Sequence, residues 1–283
     1  MCGAPEGELY DVTLLQDDEI TPYEPNDNVI NELTMLISKS GLYNEIHSNP
    51  SDKTDSNGTW ADKYALVEFI RRILLHHADS LVIEFQKQYN HNDSKVDNEN
   101  PLMITITDAS VDAIQSLRSS TVRNGVLCAR AIINSYFKLQ WSEGQLLRIV
   151  IELVNRTTVG PRFICEQAGE VLAAMITILP PLLSIQLLVP SIGHKNADAC
   201  SKVYSLIAES SLKLTEIVYQ PLSLLPSTCT INKLIDALSK GLNAKRPQAR
   251  DLCRKAFRHI QVIMVINYNY HNISFLHSLL LGY

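Results

Sequence analysis

INKLIDALSKGLNAKRPQARDLCRKAFRHIQVIMVI (Ile231–Ile266) reads as two helices folded back on one another. Its first half sets Leu234, Ile235, Leu238 and Leu242 on one stripe at helical spacing. Periodicity breaks at Asn243–Pro247, and Pro247 suits the first turn of a new helix, where its fixed φ is helical and its missing N–H is not needed. The second half repeats the pattern with Ala249, Cys253, Ala256, Ile260 and Ile263, and small residues near its start let the two backbones approach closely. Such a hairpin cannot cover its apolar faces alone. It demands neighbours stacked on both sides.

Working outward, the same punctuation recurs. Asn28–Ser40 is an amphipathic helix with Val29, Leu33, Leu36 and Ile37 on one face, followed by a long polar loop at Gly41–Gly58. Thr59 and Asp62 form a capping-box-like start, and the helix from Trp60 to about Ala78 buries Leu66, Ile70 and Ile73. Leu81–Tyr89 adds a short helix before an Asn/Asp-rich connector at 90–100. Helical pattern returns at about Asp108 and pairs 108–118 with 120–137, 143–155 with 163–179, 181–192 with 197–216 and 231–243 with 247–266. A last helix runs from about His271 to Leu281. Leu102–Thr107 (LMITIT) is the only strand candidate. Successive pairs lie about 35–50 residues apart, the period of helical-hairpin repeats. The expected fold is therefore all-α: an α-solenoid of about six HEAT-like hairpins forming a single domain over 28–283. Residues 1–27, acidic and rich in Gly and Pro, are expected to be a disordered leader.

Composition narrows the function. At 283 residues with 46% hydrophobic and 19% charged, the chain is neither disordered nor collagen-like. Six scattered cysteines without a C-x-x-C pair fit a reducing compartment, and the four in predicted helices (Cys128, Cys165, Cys200, Cys253) read as small buried hydrophobes. No secretory signal opens the sequence, so a cytoplasmic location is expected. Val171–Ile192 is uncharged and long, but Pro180-Pro181 splits it and Gln186 interrupts it. Two short buried helices meeting at a corner explain it better than a membrane span. Nucleophile elbow, P-loop, dinucleotide glycines, H-E-x-x-H and zinc cysteine pairs are all missing. His76 and His77 are adjacent on a helix, point apart and cannot chelate together. No catalytic residue, metal, cofactor or small-molecule substrate is expected.

Two repeats can be laid on each other: SSTVRNGVLCARAII (Ser119–Ile133) on RPQARDLCRKAFRHI (Arg246–Ile260), which aligns Arg123 with Arg250 and Ala129 with Ala256. This is the core of a HEAT repeat's second helix, in which such an Arg reaches the turn of an adjacent repeat and stitches the stack. The Asp usual in the preceding turn is missing, so the ladder is incomplete. In a hairpin solenoid, turns inside repeats fall on one edge and connections between repeats on the other. The inner turns hold Trp60 with Lys63, then Arg118, then Arg156 and Arg162, then Lys195, then Lys245 and Arg246. The opposite connections carry only Lys138 and Glu143. Exposed turns of any soluble protein carry Lys and Arg, yet this one-sidedness favours a basic binding ridge. Net charge agrees: residues 1–100 carry −12 and residues 101–283 carry +7, which points to an acidic partner for the latter.

Three features resemble the TOG domain, a tubulin-binding array of six HEAT-like repeats. One is a Trp in the first inner turn followed by a cation (Trp60, Lys63). Another is LRSSTVR at Leu117–Arg123, close to the L-R-S-x-x-V-R of the family's CLASP branch. The last is a Lys/Arg pair in the fifth turn ahead of an x-A-R-x-x-x-R-K-A helix (Lys245, Arg246, then Ala249–Ala256). The resemblance implies binding of αβ-tubulin or microtubules, regulation of microtubule dynamics and a place on the cytoskeleton. By motif it points to Trp60, Arg118, Ser119, Lys245 and Arg246. Lys63, Arg156, Arg162 and Lys195 follow by turn position. The chain departs from the family in a long first turn, in the third turn NRTTVGPR and in a fourth turn, GHKNADACSK, without the usual V-R. The competing reading is a HEAT scaffold for another acidic protein. Nucleic-acid binding is disfavoured, because stacking aromatics other than Trp60 are missing from the ridge and net charge is −5.

Overall fold

Every element among the described residues of the computed structural model (15–22, 29–40, 59–91, 100–217 and 228–260) is a helix or a turn, and none is a strand. The contacts group the chain into two units, Met1–Ser142 and Glu143–Tyr283, where the sequence suggested one domain over 28–283. The first unit contains α1 (Val29–Ser40), α2 (Trp60–His76), α3 (Ala78–His91), α4 (Pro101–Gln115), α5 (Ser119–Asn134) and the short α6 (Tyr136–Leu139). Here α1 packs on α2, α4 on α5, and α2 lies against both α4 and α5. The second unit contains α7 (Glu143–Arg156), α8 (Arg162–Ile178), α9 (Pro181–Leu188), a 3₁₀ turn (Val189–Ser191), α10 (Ala197–Ile217), α11 (Thr228–Gly241) and α12 (247–260). In it α7 packs on α8, α9 on α10, and α10 also touches α8 and α11. The hairpin class is as expected; the helix predicted at 271–281 lies outside the described residues.

The helices form where local chemistry says they should. Thr59 and Asp62 cap α2 reciprocally, Thr59 N–H donating to Asp62 Oδ2 at 2.8 Å and Asp62 N–H to Thr59 Oγ1 at 3.3 Å. Leu66, Ile70 and Ile73 are buried from this helix, and Leu33 and Ile37 from α1. At the deciding hairpin, Leu234, Leu238, Ala249, Cys253 and Ala256 are buried as the stripe requires. The uncharged run bends at Leu179 and Pro180, between α8 and α9, forming the expected corner. Among the described residues no helix is long and apolar enough to cross a membrane. In the α4–α5 hairpin the backbones touch at Gly125, where an added Cβ would lie 2.8 Å from Ile114 N.

Several expectations need correction. Leu102–Thr107 is helical, and α4 begins at Pro101 instead of near Asp108. Asn100 caps it by accepting from Leu102 N–H at 2.9 Å. Thr105 and Thr107, residues that favour strands by propensity, turn their hydroxyls back onto the carbonyls of Pro101 and Met103. Local capping and tertiary packing outweigh β-propensity here.

The leader also differs over residues 15–22, which are folded onto α2, with Ile20 buried. The reason is Arg71, whose side chain is fully buried. Its guanidinium donates to Asp17 Oδ1 at 2.7 Å, Leu15 O at 3.1 Å and Asn124 Oδ1 at 2.9 Å. Asn124 in turn donates to Tyr64 O at 3.1 Å, and His76 Nε2 donates to Ile20 O at 2.7 Å. A guanidinium inside a helical stack is tolerable only with a carboxylate and carbonyls around it. Leader residues supply them.

The cysteines divide. Cys128 and Cys253 are buried, and burial pushes their thiols up to about 12 and about 11. Cys165 and Cys200 are only half-buried, short of the full burial expected.

Candidate protein-interaction site

In the first unit the capping box of α2 fixes Trp60 at the first helical position. Arg118, the N-cap of α5, has an extended backbone that swings its side chain across to Trp60. The guanidinium carbon sits 4.5 Å from the ring centroid, a cation–π contact. Trp60 is 37% exposed, and Leu117, next to Arg118 in sequence, is fully exposed. Ser119, at the first position of α5, is exposed as well. One turn into α2, Lys63 Nζ meets Asp112 Oδ2 of α4 at 3.2 Å. The first two inner turns are thus brought together around an aromatic ring.

The second unit brings three inner turns together by polar ties. Asn155, next to Arg156 at the end of α7, accepts from His194 Nε2 of the fourth turn at 3.0 Å. The fourth turn connects to the fifth through Asp198, which accepts from Lys245 Nζ at 2.9 Å and Arg246 Nε at 3.1 Å. Arg246 N–H also donates to Ser201 Oγ at 3.3 Å. These cations hold the Asp198 carboxyl below its usual range. Lys202, half-buried over Gly169, is held below the usual lysine range first by burial and then by Arg246. In the third turn Gly160 adopts φ 114, a conformation that favours glycine, and the chain then enters α8. There Arg162 is almost fully exposed and donates to Glu166 Oε1 at 2.7 Å. Val159 and Phe163 flank it, 55% and 48% exposed, while Lys195 is exposed and Arg156 half-buried.

Two expectations change. The cations do not form a bare ridge: Asp112 compensates Lys63, Glu166 compensates Arg162, and Asp198 compensates Lys245 and Arg246. Counting turn residues alone overlooks carboxylates carried by neighbouring helices: Asp112 near the end of α4, Glu166 one turn into α8 and Asp198 in the first turn of α10, the one of the three that a helix dipole favours. Arg250, expected to reach an adjacent repeat, instead donates to Ala244 O at 2.8 Å and Lys245 O at 3.0 Å in its own turn. Arg71, Asn124 and Asp198, which repeat alignment did not single out, are among the residues that tie one hairpin to another.

Sequence reasoning also missed Leu117, Val159 and Phe163. Leu117 follows buried Ile114 at helical spacing, but α4 ends at Gln115 and leaves it outside. A shallow depression of about 260 Å³ opens at the other ends of α2 and α5, lined by Leu74, His76, Ala131, Asn134, Ser135 and Lys138. Among the described residues no group of three or more His, Cys, Asp or Glu side chains could hold a metal ion.

Comparison with known proteins returns no matching family model and no matching curated protein. Among solved structures the chain is similar to a CEP104 TOG domain, at 14% identity over 91% of each chain and a TM-score of 0.37.

Proposed function

We propose that this chain is a non-enzymatic binding domain for αβ-tubulin or microtubules that helps to regulate microtubule dynamics at the cytoskeleton. The observation that carries the reading is the pair at Trp60, where an exposed ring and the Arg118 guanidinium over it meet at motif positions the sequence singled out, with exposed Leu117 next to Arg118 in the chain. A half-exposed tryptophan held by a neighbouring cation is a preformed anchor of the kind enriched among binding hot spots. Lys63 and Ser119 in the first unit, and Arg156, Arg162, Lys195, Lys245 and Arg246 in the second, are the further contacts we assign to an acidic partner. Exposed charges of this kind mainly steer association, and their effect fades with salt. The test is co-elution with unpolymerised αβ-tubulin at low salt, comparing wild type with Lys245→Glu/Arg246→Glu. A shifted peak that collapses in the double variant is expected. A wild type that neither co-elutes with dimers nor pellets with microtubules would end the tubulin reading.

A further inference from the structure

We propose that Asp198 is an internal competitor: in the free protein it occupies the two fifth-turn cations, and a partner's carboxylate takes its place. This rests on the proposed function for the partner's identity, but its physical content is independent of it. One carboxylate bridges two cations, with its two oxygens split between Lys245 at 2.9 Å and Arg246 at 3.1 Å. Both cationic side chains are more than half exposed, at 61% and 57%, and Asp198 is 34% exposed. The fork is therefore open to a partner. Three cations crowd the spot, because Lys202 feels Arg246 as well.

Asp198 is placed independently of the cations. Asn196 caps α10 by accepting from Asp198 N–H at 2.8 Å, which puts the carboxylate at a helix N-terminus that favours negative charge. It would stay there when the cations leave. An incoming carboxylate thus meets a like charge at the very pair it must engage, and it gains only the difference between two similar ion pairs. Arg162 differs in kind, and Lys63 meets Asp112 as a single cation with a single carboxylate. Arg162 pairs with Glu166 one turn along its own helix, an arrangement that leaves a guanidinium already turned to solvent. Asp198 instead joins two successive inner turns, so releasing it frees both cations at once.

Removing the competing charge while keeping the side chain's size should tighten binding and make it more salt-sensitive. Wild type, Asp198→Asn and Lys245→Glu/Arg246→Glu would be titrated with poly-L-glutamate and with αβ-tubulin, at low and raised salt. Asp198→Asn is expected to bind about two- to five-fold more tightly at low salt, the scale of an exposed ion pair, with a steeper loss in salt. The double variant should bind weakest. Unchanged or weaker binding of either probe that the wild type does bind would overturn the inference. Tighter poly-L-glutamate binding with no tubulin binding by any variant would support the competitor role and remove the tubulin reading.

Discussion

The two units solve the same packing problem, but among the described residues only the first takes a full guanidinium charge inside. In the first, the guanidinium of Arg71 is taken inside, its two terminal nitrogens donating to Asp17, Leu15 O and Asn124, while the exposed turns present Trp60 and Leu117. In the second, Arg162, Lys245 and Arg246 stay outside and are met by Glu166 and Asp198. A buried charge with good partners fixes geometry and is costly to orphan. Exposed pairs contribute little to stability and remain available to exchange partners. The first unit is therefore built to hold a rigid anchor, and the second to offer charges that can be released.

The difference can be broken at its strongest point first. Asp17→Ala leaves Arg71 buried without its carboxylate and should cost about 3 kcal/mol of stability. Hydrogen exchange should show α2 and α5 losing protection before α8 and α10. Next, Trp60→Ala should weaken partner binding by about 2 kcal/mol, roughly thirty-fold. Lys245→Glu/Arg246→Glu should weaken it about ten-fold at low salt, with the gap closing as salt rises. Leu117→Ser should cost about 1 kcal/mol of affinity if the exposed leucine is partly covered by the partner, with no change in melting temperature. Smallest of all, Arg162→Ala should leave the melting temperature unchanged, because the Glu166 pair it removes lies in solvent.

Most of the fold was legible because periodicity and capping are local. The stripe at Leu234 and Leu238, the Thr59–Asp62 box and the corner at Pro180 all follow from residues a few positions apart. What escaped depends on distance in sequence. Asp17 and Arg71 lie 54 residues apart in sequence, and nothing local marks Arg71 as buried. LMITIT carries β-branched residues that argue for a strand until Asn100 and Pro101 are recognised as a helix start. At the site, the turn positions of Trp60, Arg118, Lys245 and Arg246 were readable, as was their charge. Their partners were not. Asp198 becomes meaningful only when two turns some fifty residues apart are seen side by side, and a ridge counted from cations alone overstates the charge left over.

The most direct measurement compares the two units through salt. Affinity for αβ-tubulin would be measured for wild type, Trp60→Ala and Lys245→Glu/Arg246→Glu at low and raised salt. The predicted result is a Trp60→Ala defect of about the same factor at both salts, because its origin is apolar, and a double-variant defect that shrinks as the charges are screened. Wild-type affinity retained by Trp60→Ala would contradict the account, since the first unit would then present no anchor.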